Sequence, residues 1–212
     1  MASFLRDVRR TVMGVRALPA VLLVEAARDR VKIDRDIDRW VEVLDVPSTW
    51  SRRQQLVHLL TKYPEFRNLL SYRLRGHNLL MRGLAFNLLK PIDTLSFDVD
   101  EIGGGLFVQH GFATIVSAQS IGEDCWINQQ VTVGHVYDRG RPIIEDRVTI
   151  AAGAAVVGPI TIGHDATIGA NTTVVKDVAP HSVVVGAAPR VLTPAREDAN
   201  VIDFRLGSVS TV

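Results

Sequence analysis

What this 212-residue chain has little of narrows the reading first. It contains one cysteine, Cys125, so no disulfide framework can form within it. Flanked by Asp124 and Trp126, that thiol reads as core packing rather than as a nucleophile. Aromatic residues make up 6%, too few for a core built on rings, although a hydrophobic content of 47% is ample for a core. Lys and Arg number 24 against 23 Asp and Glu, a net charge of +1. That balance gives no general attraction to nucleic acid or anionic lipid. No run approaches the ~18 uninterrupted apolar residues of a membrane span. The stretch 17–27 is apolar but interrupted by Pro19 and Glu25, and Arg28, Asp29 and Arg30 follow at once. Arg6, Arg9, Arg10 and Arg16 ahead of it mimic the basic region of a signal peptide, yet a helix packed on its own protein is the better reading. The expected location is cytoplasmic, with membrane-surface association a minor option. No group of His, Cys and Asp has metal-ligand spacing, so no metal is expected.

What the chain does have is a six-residue beat. Ile144, Ile150, Val156, Ile162, Ile168 and Val174 recur at every sixth position. Four residues after each comes Val148, Ala154, Ile160, Ala166, Thr172 or Val178, all small or branched. A period of six fits neither the 3.6 of a helix nor the 2 of a strand. It matches a parallel β-helix, in which three short strands and three tight corners make one 18-residue coil. The aliphatic at the head of each unit points inward, and Gly163, Gly169 and Asn171 suit corners that need unusual backbone angles.

Residues 1–93 read as a helical region. Ile33, Ile37, Trp40, Val41 and Leu44 give one apolar face. Pro47 breaks that run, and Ser48 or Thr49 is placed to cap a helix carrying Leu56, Leu59 and Leu60. Pro64 starts a third helix, and Leu79 to Leu89, apolar nearly all round, is expected to pack between other elements. Residues 94–192 form the β-helix, with a one-residue slip near Thr114 and an excursion loop over 135–143. Residues 193–212 form a tail. The end of the prism after Pro180 needs a cover, expected from the C-terminal segment, and the helices should close the other end. The fold class is therefore mainly β with an α-helical N-terminal part.

The stretch GLFVQHGFATIVSAQSIGEDCWINQQVTVGH, the loop ending in Arg141-Pro142 and the segment IGANTTVVKDVAPHSVVVGAAPRVL resemble the serine O-acetyltransferase branch of hexapeptide-repeat acyltransferases. YPEFRNLLSYRL in the helical part resembles it more weakly. The resemblance implies a left-handed β-helix, a homotrimer or a dimer of trimers, and active sites in clefts between neighbouring prisms. It implies acetyl-CoA as co-substrate, with Ala152 and Ala170 by the pantetheine arm, Gly134 nearby, and Lys176 and Arg190 by the nucleotide phosphates. Lys suits phosphate as a point charge and Arg as a fork.

His110 holds the position of that family's catalytic histidine. An alcohol attacks a thioester only as its proton leaves, and an imidazole is suited to take it near neutral pH. His110 is thus the expected general base, which then returns the proton to the departing thiolate. A backbone N–H near Val133-Gly134 is the expected oxyanion donor. His135 at the mouth of the loop is a further acceptor-side candidate. Three positions depart from the family pattern. Neutral Gln109 stands where the family has an acid, Arg141 where it has a second histidine, and Leu95 where it has the acid that orients the catalytic histidine. Asp98, Asp100 or a neighbouring subunit could replace Leu95. With Gln109 and Arg141 at the acceptor end, the leading expectation is O-acetylation of a sugar hydroxyl in surface-polysaccharide assembly. The alternative is serine O-acetylation for cysteine biosynthesis, and a minor one is a non-catalytic trimeric scaffold or acyl-CoA binder.

Overall fold

The computed structural model describes residues 19–135, 137 and 140–186, with the strand residues 202–203 and 208–209. Residues 19–25 are helical. They are followed by α1 (Arg30–Val43), α2 (Arg52–Lys62), α3 (Pro64–Arg73), a 3-10 turn (Leu74–Gly76) and α4 (Leu79–Leu89). The cap of α2 is Ser51 rather than Ser48 or Thr49. Gln54 three residues on completes a reciprocal capping box that neither of those positions has. Pro64 opens α3 with Glu65 in its first turn, where the helix dipole favours an acid. α4 departs from expectation: only Ala85 and Leu89 are buried, while Leu79, Leu80, Leu84, Phe86 and Leu88 face outward. One side of it packs on α3 and the 3-10 turn, and among the described residues nothing covers the other.

Twelve strands follow: β1 (Leu95–Ile102), β2 (Phe107–Val108), β3 (Thr114–Ile121), β4 (Trp126–Ile127), β5 (Thr132–Gly134), β6 (Ile143–Ile144), β7 (Thr149–Ile150), β8 (Ala155–Val157), β9 (Thr161–Ile162), β10 (Thr167–Ile168), β11 (Thr173–Val174) and β12 (Val183–Val184). All pair in parallel across successive coils. Face I stacks the first halves of β1 and β3 with β5, β8 and β11. Face II stacks their second halves with β6 and β9. Face III is β2, β4, β7, β10 and β12. The result is a left-handed β-helix of about five turns. Thr149 pairs with Thr167 and Ile143 with Thr161, each one 18-residue coil on. All six residues of the beat are buried, with Thr residues pointing outward beside several of them.

The slip in the beat has a definite form. Val108 and Ile115, which flank the corner between faces III and I, enclose six residues. Their partners Ile127 and Thr132 enclose four, as do Ile150 and Ala155 in the next coil. The corner carrying His110 is therefore two residues longer than those stacked on it. One residue is recovered at the following corner, because the inward positions Val116 and Ile121 are five apart where Val156 and Ile162 are six apart.

The helices close the first coil. Trp40 packs edge-on against Phe66, lies 4.7 Å from Phe107 by ring centroid, and donates from Nε1 to the Leu106 carbonyl at 2.8 Å. Beneath it lies a fully buried ion pair, Arg73 Nε to Asp36 Oδ2 at 2.9 Å. Arg73 also donates to the carbonyls of Ile102 and Gly103, and Asp36 accepts from the Gly105 N–H. Burial pushes Asp36 up to about 6 against the opposing pull of Arg73. The segment expected to cover the far end lies largely outside the described residues.

Coil stacking is tightest at the corner between faces II and III. A Cβ on Gly122 would stand 2.6 Å from the Asp146 nitrogen and 2.6 Å from the Glu145 carbonyl carbon, so the neighbouring coil leaves no room for one. Gly122→Ala is expected to cost about 1–3 kcal/mol through backbone displacement. Thermal melting reads this as a drop of roughly 2–4 °C per kcal/mol. An unchanged melting temperature would show that the coils separate freely there.

Candidate active site

The bulged corner is built by strands that are themselves fixed. Val108 pairs with Ile127, and the Gln109 N–H donates to the Ile127 carbonyl at 2.9 Å. The two extra residues then push the chain outward, leaving His110 exposed and Gln109 half-buried at the prism edge. His110 and Ala113 both adopt left-handed φ, 54° and 51°. Left-handed residues recur in the coils stacked on this corner, at Gln130, Gly153 and Asn171, so the conformation belongs to the corner type rather than to His110.

Backbone hydrogen bonds run down this edge from coil to coil. Gln130 donates to Phe112, Gly153 to Gln129 and Asn171 to Ala152, at 2.9, 3.1 and 2.9 Å. Ala152 and Ala170 thus lie in the same column as Gln109 and His110. Beyond the intervening Asn128, Gln129 and Gln130, the column is small and uncharged over 151–154 and 169–172. Its chemistry fits a pantetheine chain.

The other candidates stand on the next edge. Gly134 ends β5 and His135 follows it, Arg141 precedes β6, and Lys176 follows β11, all at the corner between faces I and II. Within one chain Val133 pairs with Val116, six residues along from His110, so the Gly134 backbone lies toward the other end of face I from the His110 corner. The His135 Nδ1 is 2.6 Å from the Tyr137 carbonyl. Arg190 lies outside the described residues.

Arg141 is already held. Its Nη2 is 2.5 Å from Asp100 Oδ2, and its Nη1 donates to the Asp98 carbonyl at 3.2 Å. Asp98 Oδ2 also accepts from Ser117 Oγ at 2.9 Å. This pins the excursion loop to β1. It also removes Asp98 and Asp100 of the same chain as orienters of His110, because they sit at the far end of β1 from it. At the near end Leu95 is buried against Gly111, an apolar contact where an acid was to be sought.

Two further groups are resolved. Cys125 is fully buried, donates to the Glu145 carbonyl at 3.1 Å, and has its thiol pushed up to about 12 by burial, as a packing residue should. His164, Asp165 and His181 come together at the corner between faces II and III, with ligand atoms within 4.8 Å of one another. Sequence spacing hid this group, since the two histidines meet only through coil stacking, by the His181 N–H to His164 carbonyl bond of 2.9 Å. Arg147 already forks onto Asp165 at 2.8 and 2.9 Å. Arg147 first, then His164, holds the Asp165 carboxyl well below the usual range. Among the described residues no helix is long and apolar enough to cross a membrane.

A triangular coil with one outward-bulged histidine corner and a loop pinned at the next defines a hexapeptide-repeat transferase. A family model, bacterial transferase hexapeptide (six repeats), matches residues 141–176. A serine acetyltransferase of Helicobacter pylori is 33% identical over 150 residues, covering 65% of this chain and 86% of the relative. One from Mycobacterium tuberculosis is 37% identical over 139 residues, 62% of this chain and 60% of the relative. A solved serine acetyltransferase from Brucella abortus superposes with a TM-score of 0.58 at 23% identity, over 82% of this chain and 72% of that one, and supports the fold. The chain belongs to the serine acetyltransferase family of hexapeptide-repeat proteins.

Proposed function

We propose that this chain is an acetyl-CoA-dependent O-acetyltransferase that acetylates the hydroxyl of L-serine. The observation that carries the reading is the bulged corner that presents His110 in a chain of this family. His110 takes the proton of the attacking hydroxyl as the new ester bond forms, and returns it to the CoA thiolate as the thioester bond breaks. Holding both substrates together makes the transfer direct, with no acyl-enzyme needed. The pantetheine arm lies along Ala152 and Ala170.

The two half-sites become one between copies. Face I, which joins the His110 edge to the loop edge, presents the uncharged row Ile115, Thr132, Ala155 and Thr173, with Phe112 and Val175 exposed at its margins. In a homotrimer the His110 edge of one copy meets the loop edge of the next, bringing His135, Arg141 and the Gly134 backbone to the reacting groups and Lys176 to the nucleotide phosphates. The reaction is placed in the cytoplasm, where acetyl-CoA is made.

The sugar-acetylation reading has no support from the relatives, which are named for serine. One observation still favours it, the neutral Gln109 in place of an acid beside His110. Arg141 no longer does, because Asp98 and Asp100 engage its guanidinium. Product identification by mass spectrometry after incubation with acetyl-CoA decides between them. O-acetylserine as the product supports the proposal; an acetylated sugar with serine untouched overturns it.

A further inference from the structure

The contacts around Gly111 reveal a carboxylate that chain order conceals. A Cβ built on Gly111 would meet Leu95 Cδ2 at 2.8 Å, Glu65 Cγ at 3.0 Å and Val108 Cγ1 at 3.3 Å. Glu65 therefore lies against the residue next to His110, side by side with the leucine at the place where an orienting acid was to be sought. Neighbouring Cα atoms are 3.8 Å apart, so Glu65 Cγ is within about 8 Å of the His110 Cα. The two side chains together span that gap.

Glu65 is held toward this corner. Asn68, one turn further along the same face of α3, donates to the Ile92 and Leu95 carbonyls at 2.9 Å each. It also accepts from the Ile92 N–H at 2.8 Å. That clamp fixes α3 against the start of β1. The absence of a side chain at Gly111 lets α3 close directly onto the bulge. Glu65 is half-buried, and among the described residues no hydrogen bond or ion pair engages its carboxylate. Its charged neighbour Arg67 donates to the Leu60 carbonyl at 3.0 Å and interacts with Glu65 through charge alone, without a hydrogen bond or ion pair. The partners that β1 and β2 bring to Gly111 are apolar.

We propose that Glu65 is the positioning residue of the His110 imidazole, accepting a hydrogen bond from one ring nitrogen so that the other faces the acceptor hydroxyl. A base whose second nitrogen is held keeps one tautomer and one orientation. The carboxylate reaches His110 from the helical region rather than from β1, which explains how Leu95 is tolerated. This inference rests on the reading of His110 as general base.

The test compares wild type with Glu65→Gln and Glu65→Asp. Glu65→Gln is expected to lower kcat about 10–100-fold with the acetyl-CoA KM within about twofold, the signature of an interaction made in the transition state. Glu65→Asp, one methylene shorter, should recover part of that loss. Nitrogen-15 NMR of the His110 ring, on free and CoA-saturated protein, should show one tautomer in wild type and a mixture in Glu65→Gln. A purely structural acid at the start of α3 would instead lower the melting temperature and leave the tautomer and kcat unchanged. That outcome overturns the proposal. Because the spectrum needs no turnover, it decides the pairing even if acetyl transfer to serine is not found, so the two failures are separable.

Discussion

His110→Ala is expected to lower kcat for acetyl transfer about 10²–10⁴-fold, the range a positioned general base supplies. The acetyl-CoA KM should stay within about twofold, since the donor arm lies along Ala152 and Ala170 and does not need the imidazole. The fold should survive, because the side chain is exposed and alanine already tolerates a left-handed φ three residues on, at Ala113. An unchanged melting curve is the control. If the variant kept activity within threefold of wild type, the bulged corner would have another purpose and the proton would leave by another route.

Arg73→Met is expected to have the largest effect on stability, about 3–5 kcal/mol, measured by denaturant titration. It removes the ion-pair partner of Asp36, a carboxylate with no solvent exposure, and releases the carbonyls of Ile102 and Gly103 that Arg73 ties to α1. Replacing both partners, as Asp36→Leu with Arg73→Met, should cost much less, because no charge is then left buried alone. Equal losses in the single and double variants would show that the pair does not act as a unit. The pH dependence follows in sign. Asp36 is raised above its unfolded value, to about 6, so its contribution is full below about pH 4 and is lost as pH rises through 6. Asp165 is depressed and acts oppositely, with a contribution present above about pH 4 and lost as pH falls. Arg73→Met should therefore destabilise less at pH 5 than at pH 8, where the unpaired carboxylate must stay charged.

Much of the prism was legible in the residues because its period is its own signal. Every inward position from Ile144 to Val174 is buried, and the small residues four places on line the same interior. The excursion loop was visible as a gap in the beat. The bulge at His110 was only half visible. A two-residue insertion at one corner and a one-residue deletion at the next leave a net slip of one, and only strand partners separate the two. Contacts made by coil stacking or helix docking carry no periodic trace. His164 meets His181 through stacking, and Glu65 meets Gly111 through a clamp made by Asn68. The outward side of α4 shows the converse limit. Uniform apolarity marked it as a packed helix, yet among the described residues it has a neighbour on one side only. That His110 and the loop occupy different prism edges also carries no mark in the motifs, since it depends on which face each strand joins.

Thiol release from acetyl-CoA with L-serine, set against a panel of sugars, decides both the acceptor and the role of His110. Cys125 is buried, with its thiol raised to about 12, so the signal from native protein reports CoA. The expected result is CoA release that depends on serine, saturates with it, and is lost in His110→Ala. Release with sugars and none with serine would contradict the assignment of the acceptor. Serine-dependent release that persisted undiminished in His110→Ala would contradict the mechanism.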